Sequence, residues 1–176
     1  MREVDLLRKE IKYWKDLVFK GKSMFTISKK FEVPYAHRLM NHLRDCKYLH
    51  GHNAILEVFI SSPDLDKMNM VLDFSDFKKV VGEWLKENWD HCVLLNENDR
   101  DILDRQFSVD IFKKVYLFKG NPTAELMAKE LYVVVQGLMV KHKIPVQVSK
   151  VICWETLDSY AEYSPENDLT KPEEEL

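Results

Sequence analysis

The sequence has few glycines and prolines, no long apolar run and no closely paired cysteines. It contains 5 glycines and 6 prolines in 176 residues, about half the usual share, which excludes collagen-like and linker-like chains. The longest uninterrupted apolar run is the five residues from Leu131 to Val135, far short of the ~20 that span a bilayer. None of the 3 cysteines stands in a CxxC pair, so we do not expect a disulfide framework.

Neither sign of charge dominates the chain. The 26 basic residues are nearly balanced by 29 acidic ones, for a net charge of −3. This balance excludes a broadly basic nucleic-acid-binding protein and a highly acidic disordered chain. Apolar residues make up 45% of the sequence and aromatic residues 11%, enough for a hydrophobic core. We therefore predict a single-domain, soluble protein of the cytoplasm that binds neither nucleic acid nor membrane.

The two ends of the chain differ from its middle. Residues 1–30 contain nine basic and four acidic residues, whereas residues 162–176 contain six acidic residues and one lysine. Apolar residues in the head recur at helical spacing, and Gly21 is suited to end such a helix. The acidic end has the composition of a loosely ordered tail. We predict an N-terminal helical extension over 1–22, a folded domain over 23–163 and an acidic tail over 164–176.

The pattern of the middle segment predicts an α+β fold. The extended residues from Met24 and the β-branched and aromatic run Ala54–Ile60 predict two strands. Ser75 and the pair Asn121-Pro122 are typical helix starts, and each precedes apolar residues at helical spacing. Two later runs, 146–154 and 160–163, predict closing strands. Strands, then helices, then strands indicate an antiparallel sheet covered by helices.

The histidines around residue 50 form a candidate metal site. On a strand, residues i and i+2 leave the same face about 7 Å apart, so His50 and His52 can bind one ion. If the preceding extended run pairs with this strand as a hairpin, His37 reaches the same ion. Three neutral imidazoles with an open fourth position are typical of catalytic Zn²⁺. The alternative is that the HGH sequence contains hydrogen-bonded histidines without a metal.

Cys46, four residues before His50, has two possible roles. As a fourth ligand it would complete a closed, structural zinc site. Held just outside the ligand shell, its thiol would lose its proton more readily near the cation and could act as a base. The spacing alone does not distinguish these roles.

Three further residue groups have both a chemical and a structural interpretation. Asp90 and His91 could form a base with its orienting carboxylate, or a capping group beside a histidine. Glu155 ends an apolar strand and needs a partner, either a ligand with two adjacent N–H donors or a donor of the protein. Thr123 and Glu125 stand in the first turn of the second helix, where they could also be capping groups.

Six motifs in series resemble the family of 6-pyruvoyl-tetrahydropterin synthase and 6-carboxytetrahydropterin synthase. Together they cover roughly residues 24–163. The matching residues are Ala36-His37-Arg38-Leu39, Cys46 with His50-Gly51-His52, Val71-Leu72-Asp73-Phe74 leading to Lys78, Asp90-His91 with Leu95-Asn96, Pro122-Thr123-Ala124-Glu125, and Glu155-Thr156.

The resemblance implies the tunnelling fold, with residues 23–163 as the pterin synthase domain. In that fold a four-stranded antiparallel sheet carries two helices on one face, and trimers pair into homohexamers. The resemblance also implies that His37, His50 and His52 bind zinc. Active sites of such enzymes lie between subunits.

The resemblance further implies a role for each remaining site residue. Cys46 becomes the proton acceptor, and Asp90 and His91 complete its proton relay. Glu155, counted with the catalytic residues, anchors the pterin ring of the substrate. Thr123 and Glu125 lie against the polar edge of that ring.

The spacing between cysteine and HGH indicates which branch of the family this is. Three residues separate Cys46 from His50, as in the bacterial 6-carboxy enzymes of queuosine biosynthesis, whereas five are typical of animal 6-pyruvoyl enzymes. We therefore predict a zinc-dependent lyase that converts 7,8-dihydroneopterin triphosphate to 6-carboxytetrahydropterin, acetaldehyde and triphosphate.

Two alternatives stay open at this point. One is 6-pyruvoyl-tetrahydropterin synthase activity on the same substrate, and the other is a non-catalytic, zinc-stabilised pterin-binding protein. Two features depart from the family pattern. Tyr35 replaces a usually small residue, and the segment Glu97–Lys114 is longer than usual. Arg38 and Lys78 are candidates for binding the triphosphate.

Overall fold

The computed structural model of the chain describes residues 24–104 and 114–165. The predicted extension over 1–22, and the predicted tail from 166 onward, lie outside these residues. The strands are β1 Phe25–His37, β2 His50–Ser62, β3 Cys92–Asn96, β4 Val115–Phe118, β5 Gln147–Trp154 and β6 Tyr160–Tyr163; the helices are α1 Phe74–Asn88, α2 Arg100–Leu103 and α3 Ala124–Lys141, with a 3₁₀ turn at Asp45–Lys47. None of these helices is both long and apolar enough to cross a membrane.

The six strands form one mixed sheet in the order β4-β3-β1-β2-β5-β6. The pairs β1-β2, β2-β5 and β5-β6 are antiparallel, whereas β3 pairs parallel with both β1 and β4. The prediction of a four-stranded antiparallel sheet is therefore wrong, because it omits β3 and β4. Strand β3 lacks the apolar–polar alternation that marks a half-buried strand, since Leu94, Leu95 and Asn96 are all buried.

The core lies between one face of the sheet and the two long helices. Alternate residues of β1 and β2 pair across the strands, as Phe31 does with Leu56 and Val33 with Ala54, so their side chains share a face. Helices α1 and α3 both pack on this face, as predicted. They contribute Phe77, Val81, Leu85, Met127, Leu131 and Val135 to the core.

Neither long helix begins at its predicted start, and α3 is capped by Thr123, for which capping was the alternative role. Asp73, not Ser75, caps α1, and its side chain accepts a hydrogen bond from the Ser75 N–H at 2.6 Å. Thr123, not Asn121, caps α3, and its hydroxyl accepts from the Leu126 N–H at 3.4 Å. Both cap oxygens satisfy N–H groups that the first turn of a helix leaves without a partner.

Displaced from the capping position, Asn121 anchors the loop that connects β1 to β2. Its side-chain amide donates to the Met40 carbonyl at 2.9 Å, and its oxygen accepts from the Met40 N–H at 2.8 Å. The same loop is closed by a bond from the Leu39 N–H to the Cys46 carbonyl at 2.8 Å. The loop that bears Cys46 is thereby held against the start of α3.

Candidate metal centre and adjoining cavity

Strand pairing brings three histidines together at one end of the core. Residue His37 lies directly opposite His50, and Tyr35 lies opposite His52, so all four side chains leave the same face of the sheet. One nitrogen from each histidine lies within 4.8 Å of the other two. His37 is only 1% exposed. The predicted convergence of the three rings through a β-hairpin is confirmed.

Hydrogen bonds leave the Nε2 atoms of two of these histidines free to bind an ion. The Nδ1–H of His37 donates to the Pro122 carbonyl at 2.8 Å, and that of His50 donates to the Tyr48 carbonyl at 2.8 Å. Main-chain carbonyls commonly orient metal-binding histidines in this way. Both Nε2 atoms then carry lone pairs, yet they lie only 3.1 Å apart. Two facing lone pairs repel each other unless a proton or a metal ion lies between them.

The buried Nε2 atom of His52 and the pKa of His37 also fit a bound metal ion. The Nε2 atom of His52 is buried and has no hydrogen-bond partner among the described residues, which is costly unless the atom binds a ligand. Burial lowers the pKa of His37, which favours the neutral imidazole that metal binding requires. Three converging imidazole nitrogens are a donor set suited to Zn²⁺.

Cys46 lies near this centre in sequence but outside its ligand group. The residue is half-buried in the 3₁₀ turn Asp45–Lys47 and its thiol is free. Within the described part of the chain, the only cluster with metal-ligand geometry consists of the three histidines. This arrangement favours a thiol beside the shell over a fourth ligand.

The residue that follows His37 ties the Cys46 turn to α2. The Arg38 guanidinium donates to both carboxylate oxygens of Asp99, at 2.6 and 2.5 Å, and to Asp101 at 3.0 Å. It also donates to the Lys47 carbonyl at 3.5 Å. Asp99 is 1% exposed, so this pair is largely shielded from water. With two carboxylates bound, Arg38 is poorly placed to bind a triphosphate as well.

Glu155, directly after β5, faces the metal centre. Its Oε1 atom lies 3.7 Å from the Nε2 atoms of both His37 and His52. The same oxygen accepts a hydrogen bond from the Tyr35 hydroxyl at 3.5 Å. Burial, followed by the nearby Cys153 and Glu155, raises the pKa of Tyr35, so this hydroxyl stays protonated and can donate. The polar role of Tyr35 is not among the predictions from the sequence, although its period-two spacing from His37 places both residues on one face.

A cavity of about 290 Å³ opens beside Glu155. Thr123 and Glu125, the other two predicted substrate-binding residues, also line it, and the remaining walls are formed by Leu39, Ala124, Ser159, Tyr160 and Ala161. Glu155 thus belongs both to this cavity and to the surroundings of the three histidines. A planar ligand bound against Glu155 would therefore place its substituents near the metal centre.

Asp90 and His91 form a pair away from the three histidines. The Nδ1 atom of His91 lies 2.8 Å from an oxygen of Asp90, although sequence neighbours seldom bond through their side chains. His91 has a left-handed backbone, with φ at 53°, and its side chain is 81% exposed. Within residues 24–104 and 114–165, no hydrogen bond or ion pair joins this dyad to Cys46 or to the histidines.

Comparison with known sequences identifies a single group of relatives. The family model described as 6-pyruvoyl tetrahydropterin synthase matches residues 26–166. The chain is 33% identical over 145 residues to the 6-carboxy-5,6,7,8-tetrahydropterin synthase of Haemophilus influenzae, covering 80% of this chain and 99% of that protein. It is 35% identical over 108 residues to the protein of the same name from Rickettsia felis, covering 61% of this chain and 78% of that protein.

Solved structures share the fold at lower sequence identity. An uncharacterized protein of Wolinella succinogenes superposes with a TM-score of 0.70 at 20% identity, covering 82% of this chain and 99% of that one. The 6-pyruvoyl tetrahydropterin synthase of Caenorhabditis elegans superposes with a TM-score of 0.56 at 20% identity, covering 81% of this chain and 96% of that one.

Proposed function

The chain belongs to the 6-pyruvoyl tetrahydropterin synthase family, and within it we propose that the protein is a zinc-dependent 6-carboxytetrahydropterin synthase. This lyase converts 7,8-dihydroneopterin triphosphate and water to 6-carboxytetrahydropterin, acetaldehyde and triphosphate, in queuosine biosynthesis. The observation that carries the assignment is the alignment with the Haemophilus influenzae 6-carboxy enzyme over 99% of that protein.

His37, His50 and His52 are the residues that hold the zinc ion. Two of their Nε2 atoms face each other at 3.1 Å, and the third is buried with no hydrogen-bond partner among the described residues, which supports this assignment. Bound zinc supplies Lewis acidity, which polarises substrate oxygens and stabilises negative charge that develops on them. The carbonyls of Pro122 and Tyr48 keep two of the rings in the orientation that presents Nε2.

The cavity beside Glu155 binds the pterin ring. The Glu155 carboxylate accepts two parallel hydrogen bonds from the adjacent N–H groups of the ring. These charge-assisted hydrogen bonds fix the orientation of the ring. Thr123 and Glu125 line the same cavity and face the polar edge of the ring. With the ring in this cavity, the three-carbon side chain of the substrate extends toward the histidines. Glu155 thereby positions the reacting carbons as well as the ring.

Cys46 takes a proton from the substrate side chain, and the dyad of Asp90 and His91 relays protons to and from it. The bond between Asp90 and His91 supports their joint role, since the carboxylate orients the ring and stabilises its charged form. His91 is exposed and Asp90 is half-buried, and among the described residues no hydrogen bond or ion pair joins the dyad to Cys46 of its own chain. We therefore place the relay between subunits, where the dyad of one copy meets Cys46 of the next.

The edges of the sheet support a homo-oligomer, which we propose is a hexamer built as a dimer of trimers. In the described residues, β1 pairs with β3 only at Tyr35–His37, which leaves most of that edge open. Strand β6, at one end of the sheet, pairs only with β5 within the part of the chain that the structure describes. Unpaired strand edges are ready to pair with another chain, and closing them in a ring removes them.

Two remaining parts of the proposal concern the extent of the domain and its location. We assign the pterin synthase domain to residues 23–163, flanked by the N-terminal extension and the acidic tail. The predicted cytoplasmic location stays a prediction. The three cysteines are free thiols, a state compatible with a reducing compartment.

One assay tests the proposed function directly. The zinc-loaded protein is incubated with 7,8-dihydroneopterin triphosphate, and the products are identified by mass spectrometry. Formation of 6-carboxytetrahydropterin and acetaldehyde is the expected result. Formation of 6-pyruvoyl-tetrahydropterin would contradict the 6-carboxy assignment in favour of the activity for which the family model is named. Binding of a pterin without turnover would indicate a non-catalytic protein.

A further inference from the structure

A second cavity, of about 420 Å³, lies between β1 and α1 and has a markedly basic lining. Its charged residues are Lys29, Lys30, Lys78, Lys86, Glu32 and Asp90. Four lysines against two carboxylates leave a net positive charge in one concave surface. Such a surface concentrates anions and is suited to a group with several negative charges.

Helix geometry explains why this cavity is open. Lys78, Gly82 and Lys86 follow one another at intervals of four residues, so they share one face of α1. Gly82, in the middle, has no side chain, and a Cβ atom placed there would lie 3.7 Å from the ring of Phe31. The two lysines therefore flank a gap.

Two of the lysines have no ion-pair partner among the residues that the structure describes. Lys78 and Lys86 form no ion pair with any residue in the ranges 24–104 and 114–165, and both are exposed. Lys30, in contrast, lies 3.8 Å from Glu57, and the Lys29 ammonium lies 5.9 Å from the ring centre of Phe74. Because Arg38 is already bound to Asp99 and Asp101, Lys78 and Lys86 are the better-placed cations for an anionic ligand.

We propose that this cavity binds the triphosphate group of the substrate while the pterin ring and side chain occupy the metal centre of a neighbouring copy. The inference rests on the proposed function and extends it to triphosphate, the leaving group of the reaction. Lysine ammonium groups bind phosphate oxygens through charge-assisted hydrogen bonds. They also stabilise the charge that the triphosphate gains when it departs.

The site must be shared between copies because the two parts are too far apart in one chain. Phe31, in the middle of the β1 segment that lines the cavity, stands six residues before His37, a distance of about 20 Å at the rise of an extended strand. The triphosphate begins only three carbons from the pterin ring and cannot cover that distance. In addition, this cavity and the one beside Glu155 share no lining residue.

If copies of the chain pair through their open strand edges to form a closed ring, the lysine cavity of one copy lies next to the pterin cavity of its neighbour. The lysine cavity borders the segment of β1 whose outer edge is open, with Lys29, Lys30 and Glu32 on that strand. The pterin cavity borders β6, with Tyr160 and Ala161 in its wall. Pairing β1 of one copy with β6 of the next would align them. Asp90 lies in the lysine cavity, so the proton relay would reach the same shared site.

Binding of inorganic triphosphate tests the cavity without requiring turnover. Titration calorimetry is performed on the zinc-loaded wild type and on Lys78→Gln, Lys86→Gln and Lys79→Gln. Lys79 is the matched control, because it is exposed on the same helix but does not line the cavity. We expect Lys78→Gln and Lys86→Gln each to weaken binding about tenfold, the loss typical of one charged hydrogen bond, and Lys79→Gln to bind like wild type. Equal binding by all four proteins would overturn the proposal, as would equal weakening by Lys79→Gln.

Mixed oligomers test whether the site is shared. Chains carrying His50→Ala are co-expressed with chains carrying Lys78→Gln and Lys86→Gln together, and hetero-oligomers are isolated through two affinity tags. In an oligomer of one variant alone, every shared site lacks either the metal centre or the lysines. In a hetero-oligomer, the intact metal centre of a lysine-variant chain can lie beside the intact lysines of a His50→Ala chain. We expect turnover of 7,8-dihydroneopterin triphosphate to rise above that of either variant alone. Hetero-oligomers with no such rise would overturn the shared site, whereas a wild type that forms no product would contradict the proposed function itself.

Discussion

The Tyr35 hydroxyl donates a hydrogen bond to Oε1 of Glu155 at 3.5 Å, and this oxygen also lies 3.7 Å from the nearest nitrogens of His37 and His52. One carboxylate thus connects the cavity to the candidate metal centre. Tyr35 is 4% exposed, so its hydroxyl has little access to water. We infer that Tyr35 fixes the orientation in which Glu155 meets the substrate.

Replacing Tyr35 by phenylalanine removes this hydrogen bond and keeps the packing of the ring. A hydrogen bond contributes about 1 kcal/mol, so we expect the KM for 7,8-dihydroneopterin triphosphate to rise about fivefold. Tyr116→Phe is the matched control, because it removes a hydroxyl–carboxylate bond to Glu130 that lies away from the cavity. Steady-state kinetics and thermal melting compare the two. Unchanged KM in Tyr35→Phe would contradict an orienting role.

Removing one imidazole tests the metal centre. We expect His50→Ala to lose most of its zinc after dialysis, because two nitrogens are too few for the three-ligand site typical of catalytic zinc. His142→Ala, at the exposed end of α3, should retain as much zinc as wild type. Elemental analysis of the dialysed proteins measures the difference. A wild-type zinc content in His50→Ala would show that the three histidines are not the ligands.

Replacing Cys46 by alanine separates its proposed role from metal binding. General bases contribute about 10²- to 10⁴-fold to rate, so we expect kcat to fall by about that factor. Zinc content should not change, because the sulfur lies outside the ligand group. Loss of zinc in Cys46→Ala would instead indicate a fourth ligand.

The reactivity of the thiols can be checked independently in the folded wild type. Burial raises the pKa of Cys92 to about 11 and that of Cys153 to about 12, so both remain protonated and unreactive at pH 8. Only Cys46 is partly exposed. We expect iodoacetamide to modify Cys46 alone and to abolish turnover. Modification of a second cysteine without unfolding would contradict this prediction.

The metal centre could be predicted from sequence because it depends on local geometry. His50 and His52 are separated by one strand period, and His37 precedes a loop short enough to form a hairpin. The extended run from Met24 and the β-branched and aromatic run Ala54–Ile60 are equally informative, because they predict the two longest strands. These features require no knowledge of distant contacts.

The rest of the fold and site depends on contacts between distant segments. Strand β3 is recognised only by its parallel pairing with β1, and the bond between Tyr35 and Glu155 joins residues 120 positions apart. The helix starts were displaced because Asp73 and Thr123 compete with nearby residues that cap equally well. Charge alone did not reveal the lysine cavity, since its residues come from both β1 and α1.

Breaking the pair of Arg38 and Asp99 should destabilise the fold. Arg38→Ala leaves the Asp99 carboxylate buried without its partner, and breaking a buried ion pair in this way costs about 3–5 kcal/mol. Asp101→Ala is the control, because the Asp101 side chain is 80% exposed and such pairs contribute at most about 1 kcal/mol. Urea unfolding measures both. Similar losses in the two variants would show that the bond to Asp99 has no special role.

Two glycines should respond in opposite directions to the same added methyl group. A Cβ at Gly51 would lie 3.0 Å from the main-chain oxygen of Tyr35, so Gly51→Ala must push apart the strands that carry the three histidines. A Cβ at Gly82 would lie 3.7 Å from the ring of Phe31, an ordinary contact, and alanine is favoured over glycine within a helix by about 1 kcal/mol. We therefore expect Gly51→Ala to lower the Tm and reduce zinc content, and Gly82→Ala to raise the Tm. Thermal melting and elemental analysis decide the matter, and a Gly51→Ala variant as stable and zinc-rich as wild type would show that the strands can separate there without cost.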